Sequence, residues 1–82
     1  MKILVNVYVP AISKKYDVSI PNTLIIKNVI SLIASTVEDL SNRLYITSGE
    51  EYLYSAEKGI LLRPNATLEK YGIQNGDHLV MM

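Results

Sequence analysis

Residues 68–82, LEKYGIQNGDHLVMM, decide the architecture of this chain. Thr67 to Tyr71 reads as a short helical turn leading into them, Asn75-Gly76-Asp77 as a tight turn, and His78 to Met82 as a closing apolar strand. Side chains alternate along a strand, so Leu79 and Met81 face one side of a sheet while Val80 and Met82 face the other. A final strand with two apolar faces needs strands beside it and a covering layer on at least one side.

Working outward, the start of the chain supplies the first partners. Ile3, Val5, Val7 and Val9 alternate with Leu4, Asn6 and Tyr8, which predicts a strand with the first set buried. Pro10 to Ser13 breaks the pattern, and Tyr16, Val18 and Ile20 resume it, so the two runs form a hairpin. Lys14 and Lys15 suit an exposed edge, where charge discourages pairing with other chains. Pro21-Asn22-Thr23 is a turn offering two N-caps, and from Leu24 to about Val37 the period becomes helical. Ile25, Ile26, Val29, Ile30, Leu32, Ile33 and Val37 fall within an arc of ~160°, with Lys27, Asn28, Ser31, Ala34, Ser35 and Glu38 opposite. The arc's margin at Ile25 and Leu32 either covers the ends of the sheet or meets a partner. In residues 39–51, Leu44-Tyr45-Ile46 reads as an irregular return from the helix in preference to a short strand. Tyr52 to Ala56 and Ile60 to Leu62 form a second hairpin, and Arg63 to Ala66 another turn. One helix on a mixed sheet of four to five strands is an α+β domain, and at this size the leading candidate is the β-grasp.

The chain has 82 residues, 49% of them apolar and 20% charged, enough for one domain with one core over residues 1–82. Eight basic and eight acidic side chains cancel without forming runs, which leaves no electrostatic footprint for nucleic acid. The opening MKILVNVYVPA fails as a signal peptide because Asn6 interrupts a short run and no small-x-small cleavage site follows. No stretch approaches a membrane span of roughly 18 apolar residues. The chain is expected to be cytoplasmic and soluble, without direct membrane insertion.

The parts for chemistry are few. There is no cysteine and one histidine, so neither a zinc site nor a nucleophile with its base and orienting group can be assembled. His78 reads as a half-exposed strand residue and Glu50-Glu51 as a solvated turn. Asn65-Ala66-Thr67 matches a glycosylation acceptor, which has no consequence without export. The four glycines form no phosphate-binding loop. No cofactor, metal or enzymatic activity is expected.

With its elements placed, the chain resembles ubiquitin-like β-grasp proteins, and within them the bacterial YukD family, called EsaB in some species. Ile20 to Ile33, IPNTLIIKNVISLI, is similar to the strand-to-helix join of that group. Leu68, Tyr71, Ile73, Gly76, Asp77 and Leu79 match the family's closing pattern. The likeness spans nearly the whole chain, although residues 39–51 run a few positions longer than in family members. It implies a cytoplasmic accessory protein of the type VII (Ess/Yuk) secretion system of Gram-positive bacteria, with proteins of that machinery as partners. A related domain forms the cytoplasmic end of a membrane component in actinobacterial versions. With no tryptophan, the chain lacks the WxG turn of the exported substrates.

A chain closing at Met81-Met82 without Gly-Gly is expected not to be conjugated, since activation requires a slim carboxylate-bearing arm. The rival readings are a ubiquitin-like modifier or sulfur carrier and a generic β-grasp adaptor that self-associates into a homo-oligomer. If Ile3, Val5 and Val7 face the helix, then Leu4, Tyr8, Tyr52, Tyr54, Val80 and Met82 share the outer sheet face. That face is the expected protein-binding surface, because tyrosine buries large area at low entropic cost. The alternative is that tyrosine stands there as a good strand former.

Overall fold

The alternating run at the start of the chain forms β1 (Lys2–Val9), and the resumed alternation forms β2 (Lys14–Pro21). They pair antiparallel from Lys2 opposite Pro21 to Val9 opposite Lys14, in the computed structural model that describes residues 1–82. A single 3₁₀ turn, Pro10–Ile12, joins them, and Ser13 takes a left-handed φ of 52° to reverse the chain. The helix α1 spans Ile26–Leu40, followed by β3 (Leu53–Ser55), β4 (Ile60–Leu61) and β5 (His78–Met81). The five strands lie in the order β2-β1-β5-β3-β4. β5 runs parallel to β1 and antiparallel to β3, so the closing strand occupies the centre of a mixed sheet. The predicted β-grasp arrangement is the one observed.

The core lies between α1 and one sheet face. Ile3, Val5, Val7, Val9, Val18 and Ile20 from the first hairpin meet Ile26, Val29, Ile30, Ile33, Ala34 and Val37 from α1, with Leu53, Leu62, Leu68, Ile73, Leu79 and Met81 completing it. Each buried Val, Leu or Ile contributes about 1.5–3 kcal/mol relative to exposure.

The structure corrects the sequence reading of the helix in three respects. Its start is Ile26, two residues later than expected, and Ile25 occupies the N-cap position without a side-chain cap. Neither Asn22 nor Thr23 caps it. Instead the Ile26 and Lys27 amides donate to the carbonyls of Ala66 and Pro64 at 2.7 and 2.8 Å, so a loop forty residues away satisfies the orphan donors. Asn22 is buried, and its backbone bridges the Met1 carbonyl and the Glu69 amide. The end, at Leu40, is about one turn beyond the predicted limit. Finally, the buried arc is rotated: Ala34 is buried, while Ile25 and Leu32 are 39% and 41% exposed. A small side chain lets the helix backbone approach the sheet, and the helix rolls toward it.

Residues 41–52 contain no strand, in keeping with the expected irregular return. Glu51 organises them, although the sequence placed it in a solvated turn. Its Oε2 accepts hydrogen bonds from the Tyr45 and Thr47 hydroxyls at 2.6 Å each and from the Ser48 amide at 2.9 Å. Burial by itself would raise the Glu51 carboxyl, but the bonds from Thr47, Tyr45 and Ser48 outweigh it and hold the group below its ordinary range. Burial, and then the bond to Glu51, pushes the Tyr45 phenol well above its usual value.

The last turns are fastened differently. Over 68–72 the chain forms hydrogen-bonded turns rather than a regular helix, with Tyr71 N–H reaching the Thr67 carbonyl at 3.4 Å. Gly76, at φ 90°, donates its amide to the Leu4 carbonyl at 2.7 Å. The Asn75 side chain accepts the Leu4 amide at 2.7 Å, so the turn extends the β1–β5 pairing beyond the strand itself.

Candidate functional site

The sheet face opposite α1 carries no second layer, and register determines which side chains meet there. Tyr8 stands opposite Val80, Val80 opposite Tyr54, and Tyr54 opposite Leu61. These four make a continuous row from β1 across β5 and β3 to β4. Directly opposed side chains on one face lie about 5 Å apart, so the row forms one contact surface. Tyr52 and Met82 extend it, their backbones paired by reciprocal bonds of 2.6 and 3.0 Å, with side chains 54% and 60% exposed. At the β2 margin, the Lys15 ammonium lies 6.0 Å from the centre of the Tyr8 ring. That is the outer limit of a cation–π contact, so Lys15 borders the row without covering it.

Of the six side chains expected here, Tyr8, Tyr52, Tyr54, Val80 and Met82 come together. Leu4 is exposed but set apart, because Asn6 and His78 stand opposite one another between it and the row. Leu61 belongs to the surface and was missed in the sequence. Its signal was its place one residue before the buried Leu62, which by alternation turns Leu61 to the outer face.

The band between Leu4 and the row is polar and internally bonded. Asn6 Nδ2 donates to Asp17 Oδ1 at 3.0 Å. His78 is exposed, as the sequence suggested, but not alone: its Nδ1 meets Glu57 Oε2 at 2.6 Å, and its backbone amide donates to the same carboxylate at 2.9 and 3.1 Å. The bond from the His78 side chain, then that from its backbone, holds the Glu57 carboxyl below its ordinary range. Glu57 thus fastens the turn after β3 to the start of β5, which accounts for the pair without a ligand. Nowhere do three or more His, Cys, Asp or Glu side chains converge as metal ligands would. No helix is long and apolar enough to cross a membrane. The face is an open surface of tyrosine and aliphatic side chains.

A family model described as "WXG100 protein secretion system (Wss), protein YukD" matches residues 4–81. Comparison with curated protein sequences finds no significant match. Among solved structures, the ubiquitin-like domain of an Arabidopsis thaliana protein is 28% identical, with a TM-score of 0.75 over 99% of this chain and 76% of that one. The UBL domain of Plasmodium falciparum Dsk2 is 24% identical, with a TM-score of 0.72 and full coverage of both chains. The ubiquitin-like domain of EccD5 from Mycobacterium xenopi is 16% identical, with a TM-score of 0.73 over 100% of this chain and 93% of that one. The last two likenesses establish the shared fold.

Proposed function

The chain belongs to the YukD family, and on that premise we propose that it is a non-enzymatic, cytoplasmic accessory protein of the WXG100 (type VII) secretion machinery, acting by binding protein components of that machinery without being conjugated. The observation that carries this reading is the uncovered row Tyr8, Val80, Tyr54 and Leu61 with Tyr52 and Met82 beside it. Contiguous exposed apolar area rimmed by polar groups is characteristic of protein-binding surfaces. Tyrosine adds a rigid ring and a hydroxyl at low entropic cost, the combination found at energetically dominant interface positions. Leu4, beyond the Asn6 and His78 band, is assigned a peripheral part in this contact.

Crosslinked capture from the native host tests the proposal. Tyr54→Ala and Val80→Ala are expected to lose most capture of secretion components. Val80 lies in the central strand, where truncation costs up to about 1 kcal/mol of stability. Tyr52→Ala, at an exposed position, supplies a variant whose thermal unfolding should match the parent. Unchanged capture by all three would sink the assignment of the face. ATP–pyrophosphate exchange dependent on this chain and a cognate activating enzyme would replace the accessory role with that of a modifier.

A further inference from the structure

The two edges of the sheet are unlike. At one side β4 is two residues long and offers little backbone to another chain. At the other, β2 runs eight residues, and its register with β1 continues from Lys2 opposite Pro21 to Val9 opposite Lys14 with no bulge to turn it away. The backbone groups on its outer side follow from β1. Leu4 and Asn6 turn theirs toward β5, where the Leu4 carbonyl accepts from Gly76 and the Asn6 amide donates to Asp77. Ile3, Val5, Val7 and Val9 therefore turn theirs toward Ile20, Val18, Tyr16 and Lys14 of β2. The amides and carbonyls of Lys15, Asp17 and Ser19 are left facing outward along a bare edge.

Lysine at an edge opposes pairing with other strands, and Lys15 alone would close this one. Asp17 changes that. Lys15 and Asp17 stand opposite Tyr8 and Asn6 on the outer face of the sheet, and both are exposed. Asn6 Nδ2 holds Asp17 Oδ1 at 3.0 Å, which fixes the carboxylate and leaves its second oxygen available. The one ion pair of the molecule joins His78 and Glu57, so Lys15 has no partner of opposite charge within its own chain. A strand carrying acid alone would be repelled by Asp17, and one carrying base alone by Lys15. The run Lys15-Tyr16-Asp17, laid antiparallel on itself, puts each charge against its opposite.

We infer that β2 pairs antiparallel with β2 of a second copy, about a two-fold axis at Tyr16. Lys15 of each chain then faces Asp17 of the other, and the two residues exchange both backbone hydrogen bonds. Tyr16, half-buried against the core, meets its own counterpart on the helix side. Other symmetric registers are poorer. Centring on Lys15 or on Asp17 sets like charges directly opposite, and centring on Val18 sets Lys15 against Pro21 and Asp17 against Ser19, with no charge paired. The axis stands normal to the sheet, so two five-stranded sheets become one, and the contact closes on itself as a dimer. It is independent of the accessory role proposed above, and it turns the outer faces of both copies to the same side.

Sedimentation equilibrium of the full chain tests it, with a reversible monomer–dimer transition expected below ~1 mM. Lys15→Glu and Asp17→Lys, each at an exposed position, should separately weaken association about 10-fold or more, because each sets like charges across the axis. Equimolar mixing of the two variants should restore a heterodimer, and one chain carrying both Lys15→Asp and Asp17→Lys should again pair with itself. Amide exchange locates the contact in the parent chain. The Lys15 and Asp17 amides should gain protection as concentration rises, while the Tyr16 amide, already turned toward Val7, stays as it was. A parent chain that remains monomeric to ~1 mM overturns the inference. So does a dimer whose Lys15 and Asp17 amides exchange as in the monomer, or a mixture of the two charge variants that fails to associate.

Discussion

Two irregular stretches of similar length, 41–52 and 67–77, are held by different means, and the contrast separates what makes this fold from what decorates it. The later stretch is tied to distant parts of the chain. Leu68 and Ile73 are buried, the Glu69 amide reaches the Asn22 carbonyl, and Asn75 and Gly76 bond both polar groups of Leu4. The earlier stretch, apart from the Tyr52–Met82 pairing at its end, is tied mainly to itself, through the Glu51 carboxylate and the hydroxyls of Tyr45 and Thr47. Long-range ties join the two ends of the chain and bring β5 into register between β1 and β3. Local ties shape one loop.

Substitutions that remove each kind of tie should differ in size and reach. Leu68→Ala leaves a cavity at a site with no exposure and should cost about 2–5 kcal/mol, a large part of the stability of a small domain, read from the urea midpoint. A matched pair of glycines comes next. Gly76 and Gly49 have φ of 90° and 78°, and at neither would an added Cβ meet an atom within 4 Å, so alanine brings backbone strain alone. Gly76→Ala should cost about 1–2 kcal/mol because the bonds to Leu4 hold the turn in place. Gly49→Ala should cost well under that, since its loop is free to adjust. Equal losses in thermal unfolding would break the contrast.

Smaller and more local is Glu51→Gln, expected to cost about 1 kcal/mol or less. Amide exchange at Thr47 and Ser48 should accelerate, with that at Leu4 unchanged. Acid should act in the same way. Because the folded-state Glu51 carboxyl titrates below its unfolded range of about 4.3, its stabilising contribution is complete above that range and is lost as pH falls through the folded value. Exchange at Ser48, corrected for its intrinsic pH dependence, should therefore rise at acid pH well before the Leu4 amide opens. Simultaneous opening of both would show that the loop and the closing turn form one cooperative unit.

The five strands, the single helix, the hairpin partners and the outward set on the sheet apart from Leu61 were legible because each follows from a local period. Alternation places Leu79 and Met81 in the core and Val80 outside wherever the strand sits. The N-terminus of α1 was not legible, since its donors are satisfied by Pro64 and Ala66, and no capping residue marks a carbonyl brought in from elsewhere. Nor was the role of Glu51, whose partners come from an irregular loop with no period to read.

The sequence by itself determined which segments are strands, which is helix and how strand side chains divide between the two faces of the sheet, because backbone geometry sets those spacings residue by residue. Tertiary structure alone decided where each face ends. The sheet has finite length, so the helix stripe continues from buried Val37 to bare Leu40 with no change in pattern. The helix rolls toward Ala34, so Ile25 and Leu32 emerge. Strand order sets Tyr8, Val80, Tyr54 and Leu61 side by side while Asn6 and His78 part them from Leu4. Each of these outcomes depends on what lies across from a residue in space, and that neighbour is distant in the chain.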